Sequence, residues 1–319
     1  MNASADAPVL ALAGTVRRFG AVTAVDHLDL EVAAGEVVGL LGHNGAGKTT
    51  TVRLFAGLLA PDAGAVSVAG YDPVADGPEV RRRLGVLPSA LVVDARLTGV
   101  QNLRFAADVH GVPRDGLEQR VAAALAAVEL TDRGDERVAG YSTGMRHRLA
   151  LARVLLPDPT ILLLDEPTAS LDPVAARQVR RRIAALAAEE RRTVVLCTHD
   201  LAEAEALCDR VVVLEHGRIV AQGSPAELAA AHGTGGLQLD VGPADATVAR
   251  DLLARVASGA VDVEGGGRLR ASGVARDAVP ALVRALAAAG ITVFEVRRLD
   301  PSLEDVYLAI HGRGPVVSA

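Results

Sequence analysis

Apolar positions along the chain fall into two patterns. Glu36 to Leu41, Ile161 to Leu164 and Val194 to Leu196 are short apolar runs with little polar interruption. Runs of this kind suit strands covered on both faces, as in a parallel sheet. Leu28-Asp29-Leu30-Glu31-Val32 instead alternates, as a half-buried strand should. It belongs to a β-rich opening from Val9 to about Val68 that closes on Ala65-Val66-Ser67-Val68. Leu84 to Leu87, ahead of Pro88, predicts another strand. From about Thr98 to Leu156 the period turns helical, with Val121, Leu125 and Val128 on one face, and Pro173 to Glu190 predicts an amphipathic helix. The implied arrangement is a βαβ framework carrying a helical insert at about 89–156.

Near Ala229 to Gly236 the composition shifts to Ala, His, Gly and Thr, which reads as a linker. Beyond it the pattern predicts a strand (Leu237 to Val241), a helix (Ala244 to Val256) and strands near Val261 and Leu269. A second helix (Ala278 to Ala289) has Pro280 in its first turn, where a missing N–H does no harm. Ile291 to Val296 is again strand-like. The expected fold class is therefore α/β, with a first domain over residues 1–232 and a small α+β domain over 233–319.

Composition narrows the setting. The 319 residues, half of them apolar, suffice for one large domain and a smaller one. Apolar stretches such as Arg120 to Leu130 and Val211 to Leu214 fall far short of a membrane span. Met1 to Pro8 shows neither a basic head nor a long apolar stretch, so no secretory signal is visible. The two cysteines, Cys197 and Cys208, have no metal-ligand spacing, and a reduced cytosolic protein is expected. A net charge of −6, 2% aromatic residues and no Trp argue against nucleic acid as a partner. The runs Arg81 to Arg83 and Arg180 to Arg182 read as solvated helix faces.

Gly42-His43-Asn44-Gly45-Ala46-Gly47-Lys48-Thr49 lies between a predicted strand and a predicted helix and matches G-x-x-x-x-G-K-[ST]. The glycines let successive N–H groups converge on a phosphate, and the helix N-terminus adds partial positive charge. Lys48 is expected to neutralise the outer phosphates of a nucleoside triphosphate, and the Thr49 hydroxyl to ligate Mg²⁺. Two more apolar runs end in polar residues: Asp165-Glu166-Pro167 and Thr198-His199-Asp200. Ligands gather at the carboxyl ends of parallel strands, which places Lys48, Thr49, Asp165, Glu166 and His199 along one edge. There Asp165 suits Mg²⁺, Glu166 an attacking water, and His199 the γ-phosphate. Adjacent acids after a strand also cap helices, and a lone His after a strand is by itself a structural residue.

Tyr141-Ser142-Thr143-Gly144-Met145 opens a helix, so Ser142 and the N–H groups behind it form another anion site. Its position just ahead of Ile161 to Glu166 makes residues 9 to about 230 resemble the ATP-binding subunits of ABC transporters. The resemblance rests on the phosphate loop, Ser142-Thr143-Gly144, Asp165-Glu166, Ser170-Leu171-Asp172 and His199. Against the family's commonest Leu-Ser-Gly-Gly-Gln, Tyr141, Thr143 and Met145 depart, whereas Ser142 and Gly144 are kept. Ser89 stands where the family usually has a glutamine that links the nucleotide site to the membrane subunit. Phe19 matches the place of an aromatic ring stacked on adenine, though a core Phe would read the same way. Asp300 to Tyr307 resembles the ending of drug- and sodium-export ATPases of the daunorubicin-resistance type.

The resemblance implies a phosphate-loop ATPase core with a β-rich N-terminal subdomain, and a site for ATP and Mg²⁺. ATP would be bound by residues 42–49 with Thr50, Phe19, Ser142 and Gly144, and the metal by Thr49 and Asp165. Glu166, His199 and Lys48 would serve catalysis. It further implies head-to-tail pairing with a second ATP-binding subunit as a homodimer, and a separate transmembrane permease subunit at the inner face of the cell membrane. The expected function is to power transport of a drug, lipid or ion, with export favoured. A soluble regulatory ATPase of the same family, acting on a protein partner, is the alternative.

Overall fold

The computed structural model describes residues 7–90, 92–169, 171–232, 235–299 and 302–311. Four stretches read above fall wholly or partly outside them: residues 1–6, Ser170, Gly233-Thr234 of the linker, and Asp300-Pro301 of the C-terminal resemblance.

Two compact units divide the chain between Ser224 and Pro225. The first opens with β1 (Leu10–Phe19) and β2 (Val22–Val32), then β3 (Val37–Leu41), α1 (Lys48–Phe55) and β4 (Ala63–Val68). β1, β2 and β4 form an antiparallel sheet in the order β2-β1-β4. This is the β-rich opening, and alternate residues such as Leu28, Leu30 and Val32 are buried, as the alternation in sequence required.

After α2 (Gly77–Arg81) and β5 (Leu84–Leu87) come the insert helices α3 (Gly99–His110), α4 (Leu117–Ala127) and α5 (Thr143–Leu155). β6 (Ile161–Asp165), α6 (Pro173–Ala188), β7 (Thr193–Cys197), α7 (Leu201–Leu207), β8 (Arg210–Glu215) and β9 (Arg218–Gly223) complete the unit. The central sheet runs β5-β6-β7-β3-β8-β9, parallel except for β9. Every residue of β3, β6 and β7 is buried, which explains their near-continuous apolar sequence. One core, including Leu10, Val38, Phe55, Leu163 and Val195, joins this sheet to the N-terminal one.

The insert has its own core around Leu103, Leu125, Val138 and Leu149. Thr98 and Gln101 form a reciprocal capping box at the start of α3, so that helix begins at a fixed point. Tyr141 is buried in the same core and its hydroxyl donates to the Arg133 carbonyl at 2.5 Å. It does the packing that a leucine would do and adds a hydrogen bond that fixes the start of α5.

The second unit contains α8 (Pro225–His232), β10 (Gly236–Val241), α9 (Ala246–Ala254), β11 (Val261–Val263), β12 (Arg268–Ser272), α10 (Val279–Ala288), β13 (Val293–Leu299) and α11 (Leu303–His311). Its antiparallel sheet runs β11-β12-β10-β13. Leu237, Leu239 and Val241 share a core with Leu253 of α9 and Leu286 of α10. The boundary expected after residue 232 moves to before Pro225. The reason is packing: α8 lies against α11, with Leu228, Ala229, Leu303 and Val306 buried.

Candidate nucleotide site

The loop after β3 turns through three glycines with positive φ: Gly42 at 149°, Gly45 at 89° and Gly47 at 109°. Two of them are also sterically closed to any side chain. A Cβ on Gly42 would come within 2.4 Å of the Leu214 carbonyl oxygen, and one on Gly47 within 2.5 Å of that of Ala24. Gly47 caps α1, whose first turn holds no acidic residue, so the partial positive charge of the helix end is not cancelled locally. The loop tip, Asn44 and Gly45, is exposed.

Lys48 is only 7% exposed, and its ammonium folds back over the loop. Nζ donates to the carbonyls of Gly42 at 2.5 Å and His43 at 3.2 Å. The neighbouring Thr49 hydroxyl donates to Asp165 Oδ2 at 3.1 Å. Asp165 ends β6 and is 5% exposed. Burial pushes its carboxyl above the usual carboxylate range, and the Thr49 hydrogen bond opposes that shift. A buried carboxylate beside a hydroxyl is an oxygen donor pair that suits a hard divalent cation.

Glu166 follows with φ at 55°, a conformation non-glycine residues adopt sparingly. Its N–H donates to the Cys197 carbonyl at 2.8 Å, which ties the residue to the end of β7. Its Oε2 lies 2.7 Å from Nδ1 of His199, an exposed residue just beyond β7. Asp165, Glu166 and His199 therefore share one edge of the sheet with Lys48 and Thr49, as the strand ends suggested.

Phe19, Val22, Ala24, residues 43–50, Ser89, Asp165 and Glu166 line one cleft of about 380 Å³. That volume lies within the usual range for small-molecule sites. Phe19, read from the sequence as either a core residue or a stacking ring, is 44% exposed, with the Arg17 guanidinium 5.0 Å from its ring centre. Ser142 and Gly144 are not among the residues lining this cleft. Ser142 caps α5 and accepts from the Met145 N–H at 3.2 Å, while its surface stays exposed. Gly144 is buried where a Cβ would meet that of Ala175 at 2.8 Å.

Two residues near this edge were not legible in the sequence. His147, on α5, is buried and hydrogen-bonds the Pro167 backbone, while its Nδ1 has no hydrogen-bond partner among the described residues. Burial holds its imidazole below the usual histidine range. Glu203, on α7, accepts from the Thr168 hydroxyl at 2.8 Å. His147 sits among arginines in a basic helix, and Glu203 reads as an ordinary first-turn acid, so nothing local marks either one.

Comparison with known proteins identifies the family. The sequence model of the ABC transporter family matches residues 25–169. A daunorubicin resistance ATP-binding protein of Streptomyces coeruleorubidus is 39% identical over 301 residues, 94% of each chain. A Nod factor export ATP-binding protein of Ralstonia nicotianae is 38% identical over 315 residues, 96% of this chain and 94% of that one. A solved structure of an ATP-binding subunit of an ABC transporter superposes with a TM-score of 0.63 at 30% identity, covering 70% of this chain and 92% of its own. With the phosphate loop, the strand-end acids and these similarities together, the chain belongs to the ABC transporter family, as one of its ATP-binding, ATP-hydrolysing subunits.

Proposed function

We propose that this ATPase powers export of a drug, lipid or ion through a separate permease subunit, acting as a homodimer on the inner face of the cell membrane. One observation carries the dimer reading. Among the described residues the starts of α1 and α5 both offer free N–H groups to a phosphate, and of these two only α1 lines the cleft. In a head-to-tail pair, Ser142 and Gly144 of one copy close over the phosphates bound at Lys48 of the other. ATP then acts as interfacial glue, and hydrolysis removes the charge that holds the halves together. No helix among the described residues is long and apolar enough to cross a membrane, and the proposal assigns the membrane path to another chain. Export is supported by the relatives' names, which speak of drug resistance and Nod factor export.

Within the site, Lys48 balances phosphate charge, the loop N–H groups orient the phosphates, and Phe19 offers a ring to the base. Thr49 and Asp165 would hold Mg²⁺, which supplies charge neutralisation at the β- and γ-phosphates when bound. Glu166 orients and polarises the attacking water, and His199, in contact with the Glu166 carboxylate, bridges that group to the γ-phosphate.

Co-expression with a candidate permease subunit, one with about six membrane spans, tests the transport reading. The two are expected to purify as one complex in detergent, and a cargo to raise ATP hydrolysis by that complex severalfold over the isolated subunit. An active ATPase that never associates with a membrane partner would favour a soluble regulatory role.

A further inference from the structure

Glu203 is fully buried, at 0% exposure, in the first turn of α7. A carboxylate is costly to bury unless it is held by hydrogen bonds, so its retention needs a physical reason. Oε1 accepts from the Thr168 hydroxyl at 2.8 Å, while Oε2 has no hydrogen-bond partner among the described residues. Burial raises its pKa, and the Thr198 and Thr168 hydroxyls oppose that rise.

Both ends of this contact lead to the reacting edge. Thr168 is two residues beyond Glu166, in the loop that leaves β6. Glu203 is four residues beyond His199 and is fixed to that segment by the cap of α7. The Asp200 carboxylate accepts from the Glu203 N–H at 3.1 Å and pairs with Arg180 of α6 at 3.4 Å. The Thr198 hydroxyl accepts from the Asp200 N–H at 3.0 Å, which closes the turn that carries His199. The Glu203–Thr168 bond is thus a side-chain link between the segment holding Glu166 and the segment holding His199, in addition to their own 2.7 Å contact.

We infer that Glu203 is a positioning residue for ATP hydrolysis, whose buried carboxylate holds Thr168 so that Glu166 keeps its place beside His199. It touches neither nucleotide nor water and acts through the loop. The inference rests on the role given to Glu166 under Proposed function. Its signature is a loss of turnover without a loss of nucleotide affinity, because the phosphate loop lies on other strands. A misplacement of the base by a fraction of an ångström costs roughly tenfold or more in rate.

The full-length protein is compared with its Thr168→Val, Thr168→Ser, Glu203→Ala, Glu203→Gln and Glu166→Gln variants, reading kcat, ATP affinity by equilibrium binding, and melting temperature. Thr168→Val and Glu203→Ala are expected to lower kcat about tenfold with ATP affinity unchanged within about twofold. Thr168→Ser keeps the donor and Glu203→Gln keeps an acceptor, so both should retain most of the parental kcat. Should Glu203→Ala not fold, Thr168→Val, which only exchanges the hydroxyl for a methyl group, decides the matter. Parental kcat in Thr168→Val overturns the inference, as does a Glu203→Gln variant as slow as Glu203→Ala. A parallel loss of affinity and kcat overturns it too, since that is what general destabilisation produces. Glu166→Gln separates the two levels: if it hydrolyses ATP at the parental rate, the assigned base is wrong. If it is inactive while Thr168→Val is normal, only the role of Glu203 fails.

Discussion

Glu166→Gln is expected to reduce ATP turnover by about 10²-fold or more while ATP still binds. Glutamine matches glutamate in size and preserves a hydrogen bond to His199, which lies 2.7 Å from the carboxylate. The Glu166 backbone keeps its anchor on the Cys197 carbonyl, so the loop geometry survives the change. What is lost is the negative charge to which the proposed function assigns the polarising of water. On the proposed reading binding depends on Lys48 and the phosphate loop, which the substitution does not touch. With hydrolysis blocked, ATP should accumulate a stable dimer, visible by size-exclusion chromatography alongside phosphate release. Parental hydrolysis would remove Glu166 from the role of base.

Lys48→Ala is expected to abolish most nucleotide affinity. The ammonium sits 7% exposed on the carbonyls of Gly42 and His43, poised over the loop that would receive phosphates. A charge-assisted hydrogen bond contributes about 1.5–3 kcal/mol. Losing one therefore weakens binding roughly 10- to 100-fold, and losing several contacts to a triphosphate weakens it further. The fold should persist, because Gly42 and Gly47 set the turn through backbone conformation rather than through the lysine. Titration with a fluorescent ATP analogue, with circular dichroism as the folding check, measures this. Unchanged affinity would mean that the phosphates bind elsewhere.

The parts of the fold that were legible in sequence are those where local chemistry determines geometry. The phosphate loop needs its glycines for backbone reasons, so motif and structure coincide. The apolar runs of β3, β6 and β7 are fully buried, and only a two-sided sheet explains them. β9 was missed because it is an antiparallel edge strand in which exposed and half-buried residues alternate and none is buried, so its sequence carries little apolar signal. α8 was read as part of a linker, since Ala229 to Gly236 is rich in small residues. Its burial depends on α11, far along the chain.

The site divides in the same way. Strand ends bring Lys48, Asp165, Glu166 and His199 to one edge, and a sequence reading finds that edge from the order of apolar runs. It also names Ser142, but no local pattern says whether α5 opens onto the same cleft. His147 and Glu203 are recognisable only once α5 and α7 are packed beside the Glu166 loop. Their chemistry is tertiary, and the residues around them look like ordinary helix.

The head-to-tail site is tested most directly by mixing two crippled chains, Lys48→Ala and Ser142→Ala, and measuring ATP-dependent dimerisation and hydrolysis. Each chain alone should be nearly inactive, because both of its composite sites lack a required half. The mixture should regain hydrolysis well above either parent, since a mixed dimer pairs one intact Lys48 with one intact Ser142. If the mixture stays at the level of its parents while both chains remain folded, Ser142 does not complete the partner's site, and the head-to-tail reading fails.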